Sequence, residues 1–173
     1  AATLGLYDCC GVSDGAACAI VTSVEKAKEM GIKDMITVKA MQLAPSNGFE
    51  MSTTDWDGSY LQTTRIAAAR AYKEAGITDP IKQLDMTEVH DCFSVTELVV
   101  MEDLGLCEEG GAIKAVLDGK FDKDGDVPCQ IDGGLKCFGH PIGASGLRMA
   151  YEIYLQLQGK AGERQLDSPS MGL

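Results

Sequence analysis

The 173-residue sequence is poor in positive charge. Lys and Arg number 15 against 26 Asp and Glu, which gives a formal net charge of −11. Binding to a phosphate backbone needs a basic face, so we expect no nucleic-acid partner. No apolar run approaches the roughly 20 residues that span a bilayer, so we also expect no membrane span.

Paired metal-binding cysteines are also missing. Seven cysteines occur, but no Cys-x-x-Cys pair exists, which argues against a zinc ribbon or a thioredoxin motif. The odd count and irregular spacing are typical of a reducing compartment in which most thiols are buried. We therefore predict no metal site and a cytoplasmic location.

No internal repeat or low-complexity tract interrupts the sequence, and the composition, 45% hydrophobic and 24% charged, is that of a globular domain. Apolar runs bounded by glycine or serine predict strands, with a further strand beginning after Gly162. Capping and glycine stop signals predict helices. The predicted strands are Ala16–Thr22, Met35–Leu43 and Leu84–Val89, and the predicted helices are Val24–Met30, Leu61–Ala75, Ser94–Leu104, Gly110–Leu117 and one from Ala144 or Ser145 to Gln158. This alternation indicates an α/β layered fold.

Only two histidines occur, and the first belongs to the motif His90-Asp91-Cys92-Phe93. The motif lies between a predicted strand and a predicted helix, where α/β proteins place ligands. A cysteine there gains from the positive end of the helix dipole, which stabilises a thiolate. A buried cysteine beside a hydrogen-bonded core histidine is the alternative for this motif taken alone.

The second histidine lies in a loop that contains five glycines between residues 133 and 146. Pro141 stiffens the chain directly after His140, and glycines let a backbone approach a ligand closely. No Gly-Lys-Ser or Gly-Lys-Thr closes the loop, which excludes a P-loop. An imidazole held between Gly139 and Pro141 favours an acid, a base or an oxyanion donor over a purely structural turn.

Together, the His90–Phe93 motif and the Gly139-His140-Pro141 loop resemble the C-terminal half of thiolases. The similarity is strongest to the sterol-carrier-protein type, often described as lipid-transfer proteins, and it covers essentially the whole chain. The opening Leu6-Tyr7-Asp8-Cys9-Cys10 is similar to the start of that half. The resemblance implies one domain over residues 1–173, which forms the C-terminal half of a five-layered αβαβα subunit with a mixed sheet covered by helices.

The resemblance implies an acyltransferase that cleaves 3-oxoacyl-CoA with a second CoA, or runs the reverse Claisen condensation. His140 matches the histidine that activates the nucleophile and helps to bind the thioester oxygen. Cys92 matches the acid/base cysteine, and His90 matches the residue that completes the oxyanion site. We expect the substrate to be bound by Gly139, Pro141, Gly143 and Phe93. Short, sterol-derived and aromatic acyl groups all fit the resemblance.

The family's nucleophilic cysteine belongs to an N-terminal half, so we interpret the chain as a segment that also stops before the last strands. The resemblance implies CoA as a substrate, no permanently bound cofactor and a homodimer. It also allows a small partner subunit with an OB-fold and a zinc site, and a peroxisomal location. Two alternatives stay open: a non-catalytic module that binds acyl-CoA or lipid, and a subunit of a hetero-oligomeric complex.

Overall fold

The structure, a computed structural model, describes residues 4–48 and 56–173. The order of its elements is dominated by helices. We number them α1 Val24–Glu29, α2 Gln62–Ala75, α3 Pro80–Gln83, α4 Ser94–Asp103, α5 Ala112–Leu117, α6 Gly134–Phe138 and α7 Ile142–Leu157, with single 3-10 turns at Leu6–Asp8 and Gly162–Arg164.

The predicted helices α1, α2, α4, α5 and α7 are all present, with ends within two or three residues of the prediction. The Ser23 side chain accepts a hydrogen bond from the backbone N–H of Lys26 and so caps α1 as expected. Gly76 follows α2 in the left-handed conformation that ends a helix. Two short helices, α3 and α6, were not predicted, and Gly162–Arg164 forms a 3-10 turn instead of the predicted strand.

The strand predictions at Ala16–Thr22 and Met35–Leu43 are wrong for this structure. Both segments lack helix and strand pairing. Among the described residues, sheet pairing is limited to four isolated bridges, of which three are parallel and one is antiparallel. A strand needs a neighbour to accept its backbone hydrogen bonds, and these two segments have none within the described part of the chain.

The predicted strand Leu84–Val89 does pair with neighbours on both sides. Thr87 donates its N–H to the Pro128 carbonyl at 2.8 Å, and Glu88 donates to the Leu173 carbonyl at 2.8 Å. Met86 bridges to Gly172 and Thr87 to Cys129, both in parallel. This segment is therefore the centre of a short three-stranded arrangement, and it leads the chain directly to His90.

The core lies around that central segment and the helices α2, α4 and α5. The buried cluster consists of Ala68, Leu84, Val89, Val100, Met101, Leu104, Leu106, Ala115, Phe121, Val127 and Cys129. An ion pair between half-buried Arg65 and buried Asp103, 2.5 Å from Nε to Oδ1, joins α2 to the end of α4. Within the described ranges, no helix is both long enough and apolar enough to cross a membrane.

Candidate active site

Gln130 fixes the end of the central segment that carries His90. Its side-chain amide donates to the Val89 carbonyl at 2.9 Å and accepts from the Val89 N–H at 3.2 Å. Because the Gln130 side chain both donates to and accepts from the Val89 backbone, it takes the place of a neighbouring strand at the point where backbone pairing ends. The chain direction at His90 is thereby set before α4 begins at Ser94.

The rings of His90 and His140 touch. Their centroids lie 4.9 Å apart and the ring planes meet at 67°, an edge-to-face arrangement. Each ring comes from one of the two sequence motifs, which are separated along the chain by α4, α5 and α6. The fold therefore brings the two motifs into one site.

The N-terminal segment holds both motif loops together. The Cys10 N–H donates to the Cys92 carbonyl at 3.0 Å, and the His140 N–H donates to the Gly11 carbonyl at 3.0 Å. Lys136 secures this segment, because its ammonium group donates to the carbonyls of Leu6 at 2.9 Å and Cys9 at 3.1 Å. This N-terminal segment, for which the sequence predicted neither a helix nor a strand, thus forms one side of the site.

Ser145 orients the His140 ring. Its hydroxyl oxygen lies 2.8 Å from Nδ1 of His140 and 3.2 Å from the Pro141 carbonyl oxygen. If the single hydroxyl proton goes to that carbonyl, Nδ1–H donates to Ser145 and Nε2 keeps its lone pair. Ser145 is only 2% exposed, so water competes little for this contact. The arrangement leaves Nε2 as the nitrogen available to a reacting group.

Cys92 is half-buried two residues before α4, and its thiol lies 3.8 Å from the Thr96 hydroxyl oxygen. The flanking Phe93 is exposed. Pro141 is half-buried and immediately precedes α7, and Gly143 lies exposed in the first turn of that helix. These residues surround the two histidines along the chain, but the structure shows no contact between Gly143 and either ring.

The electrostatic surroundings keep His90 neutral. Partial shielding from water lowers the pKa of His90, the neighbouring His140 lowers it further, and Asp91 opposes both effects. An imidazole whose pKa lies below the ordinary value near 6.5 is mostly uncharged at pH 7. A neutral His90 can donate one hydrogen bond to a developing negative charge.

Two carboxyl groups near the site are also perturbed. Burial raises the pKa of Glu88 to about 7, and burial with the nearby Asp91 charge raises the pKa of Glu97 to about 7. Arg148 of α7 forms an ion pair with Asp132 and lies 3.5 Å from Glu88.

Among the described residues, no three His, Cys, Asp or Glu side chains converge as metal ligands would.

Sequence reasoning did not identify Ser145, Lys136 or the Gly11 carbonyl as parts of the site. For Ser145 a signal exists in hindsight, because a serine one helical turn beyond the proline of a Gly-His-Pro turn can reach back to the imidazole. Lys136 and Gly11 carry no such signal, since their partners are backbone carbonyls far away in the sequence.

Residues 46–173 match the family described as thiolase C-terminal domain-like. The chain belongs to this family. Over 170 residues it is 39% identical to an acetyl-CoA acetyltransferase of Methanothermobacter thermautotrophicus, which covers 98% of this chain and 43% of the relative. It is 36% identical to sterol carrier protein 2 of Oryctolagus cuniculus, over 98% of this chain and 31% of that relative.

A solved structure named as an Ltp2-ChsH2(DUF35) aldolase has a similar fold, with a TM-score of 0.57 and 19% identity over 70% of this chain and 32% of the other. The family predicted from the two motifs is thus confirmed, and with it a thiolase-like α/β fold class. The chain spans less than half the length of these relatives.

Proposed function

We propose that this chain forms the C-terminal part of a thiolase active site that acts on CoA thioesters. The contact between His90 and His140 carries the proposal, because two separate motifs supply two imidazoles at one place. Cys92 lies two residues along the chain from His90 and is the thiol of the same motif. The relative named as acetyl-CoA acetyltransferase supports an acyl-CoA function.

In this proposal His140 is the base that activates a cysteine supplied by another part of the complete protein. Its Nε2 accepts the thiol proton, and the thiolate attacks the 3-oxo carbon of the substrate. The bond between the α and β carbons then breaks, which leaves an acyl-enzyme thioester and a carbanion on the departing acyl-CoA. Cys92 gives its proton to that carbanion.

The second half of the reaction restores both cysteines. The thiol of an incoming CoA gives its proton to the Cys92 thiolate and attacks the acyl-enzyme. The nucleophilic cysteine leaves as a thiolate, and His140 returns the proton to it. A neutral His90 donates a hydrogen bond to the oxyanion as charge develops, which is effective because the donor is already in place. Run backwards, the same steps condense two acyl-CoA molecules.

The proposal includes an assembly and a location. We place the protein in the cytoplasm, with the peroxisome as the alternative, and expect a homodimer in which CoA and acyl-CoA are the only small-molecule partners. A hetero-oligomer with a small OB-fold and zinc subunit is the second possibility for assembly. The solved structure of similar fold is named with two components, Ltp2 and ChsH2(DUF35), which makes that possibility worth testing.

Replacing the proposed acid/base thiol tests the function directly. In the complete protein, Cys92→Ala is expected to lower kcat for thiolysis of a 3-oxoacyl-CoA by about 100-fold or more, because general acid–base catalysis contributes about 10²–10⁴-fold. Acyl-CoA binding, measured by calorimetry, should survive. Cys107→Ala is the matched control, since this half-buried thiol packs against the core and belongs to neither motif.

His140→Ala should slow formation of the acyl-enzyme, followed by the mass of the protein after rapid mixing with substrate. Near-normal turnover in Cys92→Ala, or an unchanged acylation rate in His140→Ala, would contradict the assigned roles. A parent protein that binds acyl-CoA but shows no turnover in either direction would favour the binding-module alternative.

A further inference from the structure

Asp91 lies between His90 and Cys92 in the sequence. Its carboxylate accepts a hydrogen bond from the backbone of another element of the protein. Both of its oxygens lie 3.0 Å from the backbone nitrogen of Leu135, which donates to them. Leu135 is the second residue of α6, and α6 ends directly before Gly139 and His140. A side chain of the first motif therefore holds the short helix that leads into the second motif.

The sequence of α6 is adapted to this contact. Gly134 has a φ of +59°, and a Cβ added there would lie 2.2 Å from Oδ2 of Asp91. Only glycine therefore lets the carboxylate come this close. Leu135 is 0% exposed, so in the folded protein its N–H depends on an acceptor supplied by the protein. A buried donor without an acceptor is costly, which makes this contact a strong constraint on the position of α6.

Asp91 also acts on His90 through its charge. The titratable groups that influence His90 are His140, which lowers its pKa, and Asp91, which raises it. One carboxylate thus affects the two imidazoles in different ways. It sets the position of the helix before His140, and it adjusts the charge state of His90.

We propose that Asp91 is a positioning residue that sets the contact between His90 and His140. The proposal deepens the thiolase function proposed above and rests on it for its activity readout. Asp91 touches no reacting atom in this role. It acts through Leu135 on the turn that carries His140.

Three variants of the complete protein separate position from charge. Asp91→Ala removes both the acceptor and the charge. Asp91→Asn keeps a side-chain oxygen that can accept from the Leu135 N–H but removes the charge. Asp85→Asn is the matched control, because Asp85 likewise accepts backbone N–H groups from a remote segment, at 2.7 Å from Ser170 and 2.9 Å from Met171, away from the histidines.

Two readouts are measured: kcat and KM for thiolysis of a 3-oxoacyl-CoA, and the pH titration of the His90 and His140 ring signals by NMR, assigned with single histidine variants. Asp91→Ala should lower kcat about 100-fold, since a small misplacement of a catalytic group has that effect. KM should change far less, and both ring signals should shift. Asp91→Asn should retain most of the kcat but lower the pKa of His90. Asp85→Asn should match the parent in both readouts.

Parental kcat and parental ring signals in Asp91→Ala would overturn the proposal, as would an equal loss in Asp85→Asn. If the parent protein shows no thiolysis, the proposed function fails and the NMR readout alone decides the positioning role. In that case, shifted ring signals in Asp91→Ala and parental signals in Asp85→Asn would support it, and unchanged signals in Asp91→Ala would overturn it.

Discussion

Glu88 is a buried acid whose charge is poorly compensated. Its side chain is 4% exposed and lies 3.5 Å from Nη2 of Arg148, without hydrogen-bond geometry between them. Burial raises the pKa of Glu88 to about 7, while Arg148 pulls it down and Glu152 and Asp91 push it up. The charged form is therefore disfavoured in the folded state even though an arginine is close.

This raised pKa predicts how stability depends on pH. Between the ordinary value of 4.5 and about 7 the folded state keeps a proton that the unfolded state releases, so the stabilisation from Glu88 is lost as the pH rises through 7. Glu88→Gln is neutral at every pH and should raise the free energy of unfolding by on the order of 2 kcal/mol at pH 8, with little change at pH 4.5.

Thermal unfolding of the complete protein at both pH values checks this expectation. Glu163→Gln is the matched control, because Glu163 is exposed. This variant should not change the stability at either pH. Equal stabilisation by Glu88→Gln at the two pH values, or a loss of stability at pH 8, would contradict it.

Individual residues of the site differ in how far the sequence foretells them. His90, Cys92 and His140 stand out because their motifs are unusual, and the structure does bring the rings of His90 and His140 together. The supporting contacts made by Ser145 and Asp91 were not foreseen. Such contacts depend on where α6 and α7 pack, and no local pattern encodes that packing.

At the scale of elements, helices were predicted well and strands were not, for a physical reason. A helix satisfies its backbone hydrogen bonds internally, so a cap such as Ser23 and a stop such as Gly76 mark its ends in the sequence alone. A strand depends on a distant neighbour. Leu84–Val89 finds neighbours in residues 128–130 and 171–173, while Ala16–Thr22 finds none among the described residues.

The turn between α6 and α7 is the element on which the site depends most. Gly139 has φ 78° and ψ 176°, a region that only glycine occupies readily. A Cβ there would lie 1.9 Å from the Ser13 hydroxyl oxygen. The turn and the N-terminal segment are therefore in direct contact, and the glycine permits it.

Gly139→Ala is expected to destabilise the complete protein by about 1–3 kcal/mol through backbone strain alone. The collision with Ser13 should add to this and weaken the bond from the His140 N–H to the Gly11 carbonyl, which lowers kcat. Adding Ser13→Gly to Gly139→Ala should restore the part of the stability and of kcat that is lost through the collision. Gly146→Ala is the control, because a Cβ at this exposed helical position meets open space. This variant should raise the free energy of unfolding by up to about 1 kcal/mol.

Denaturant unfolding and kcat measured on the same preparations check the expectation for the turn. A Gly139→Ala protein that unfolds like the parent would refute the strain argument. A double variant no better than Gly139→Ala would refute the contact with Ser13.

At the scale of the whole molecule, the segments around residues 16–22 and 35–43 expose apolar side chains and form neither helix nor strand. Val21 is 83% exposed and Leu43 82%. Exposed apolar side chains outside helices and sheets are available for contact with other chains. The net charge of −11 opposes association, but salt screens it.

The 173-residue chain prepared alone is therefore expected to self-associate and to bind a hydrophobic dye, increasingly so as salt is raised. A chain with Val21→Lys and Leu43→Lys should stay monomeric to higher concentration, because each lysine removes an apolar contact and its ammonium group would have to lose water when the segment pairs. Leu117→Lys is the control. Leu117 is equally exposed at 82% but lies on α5, where the backbone is already hydrogen-bonded.

Sedimentation velocity across a concentration series measures the outcome. A parental chain that is monomeric without dye binding, or an equal gain from Leu117→Lys, would show that residues 16–22 and 35–43 are not the surfaces that associate.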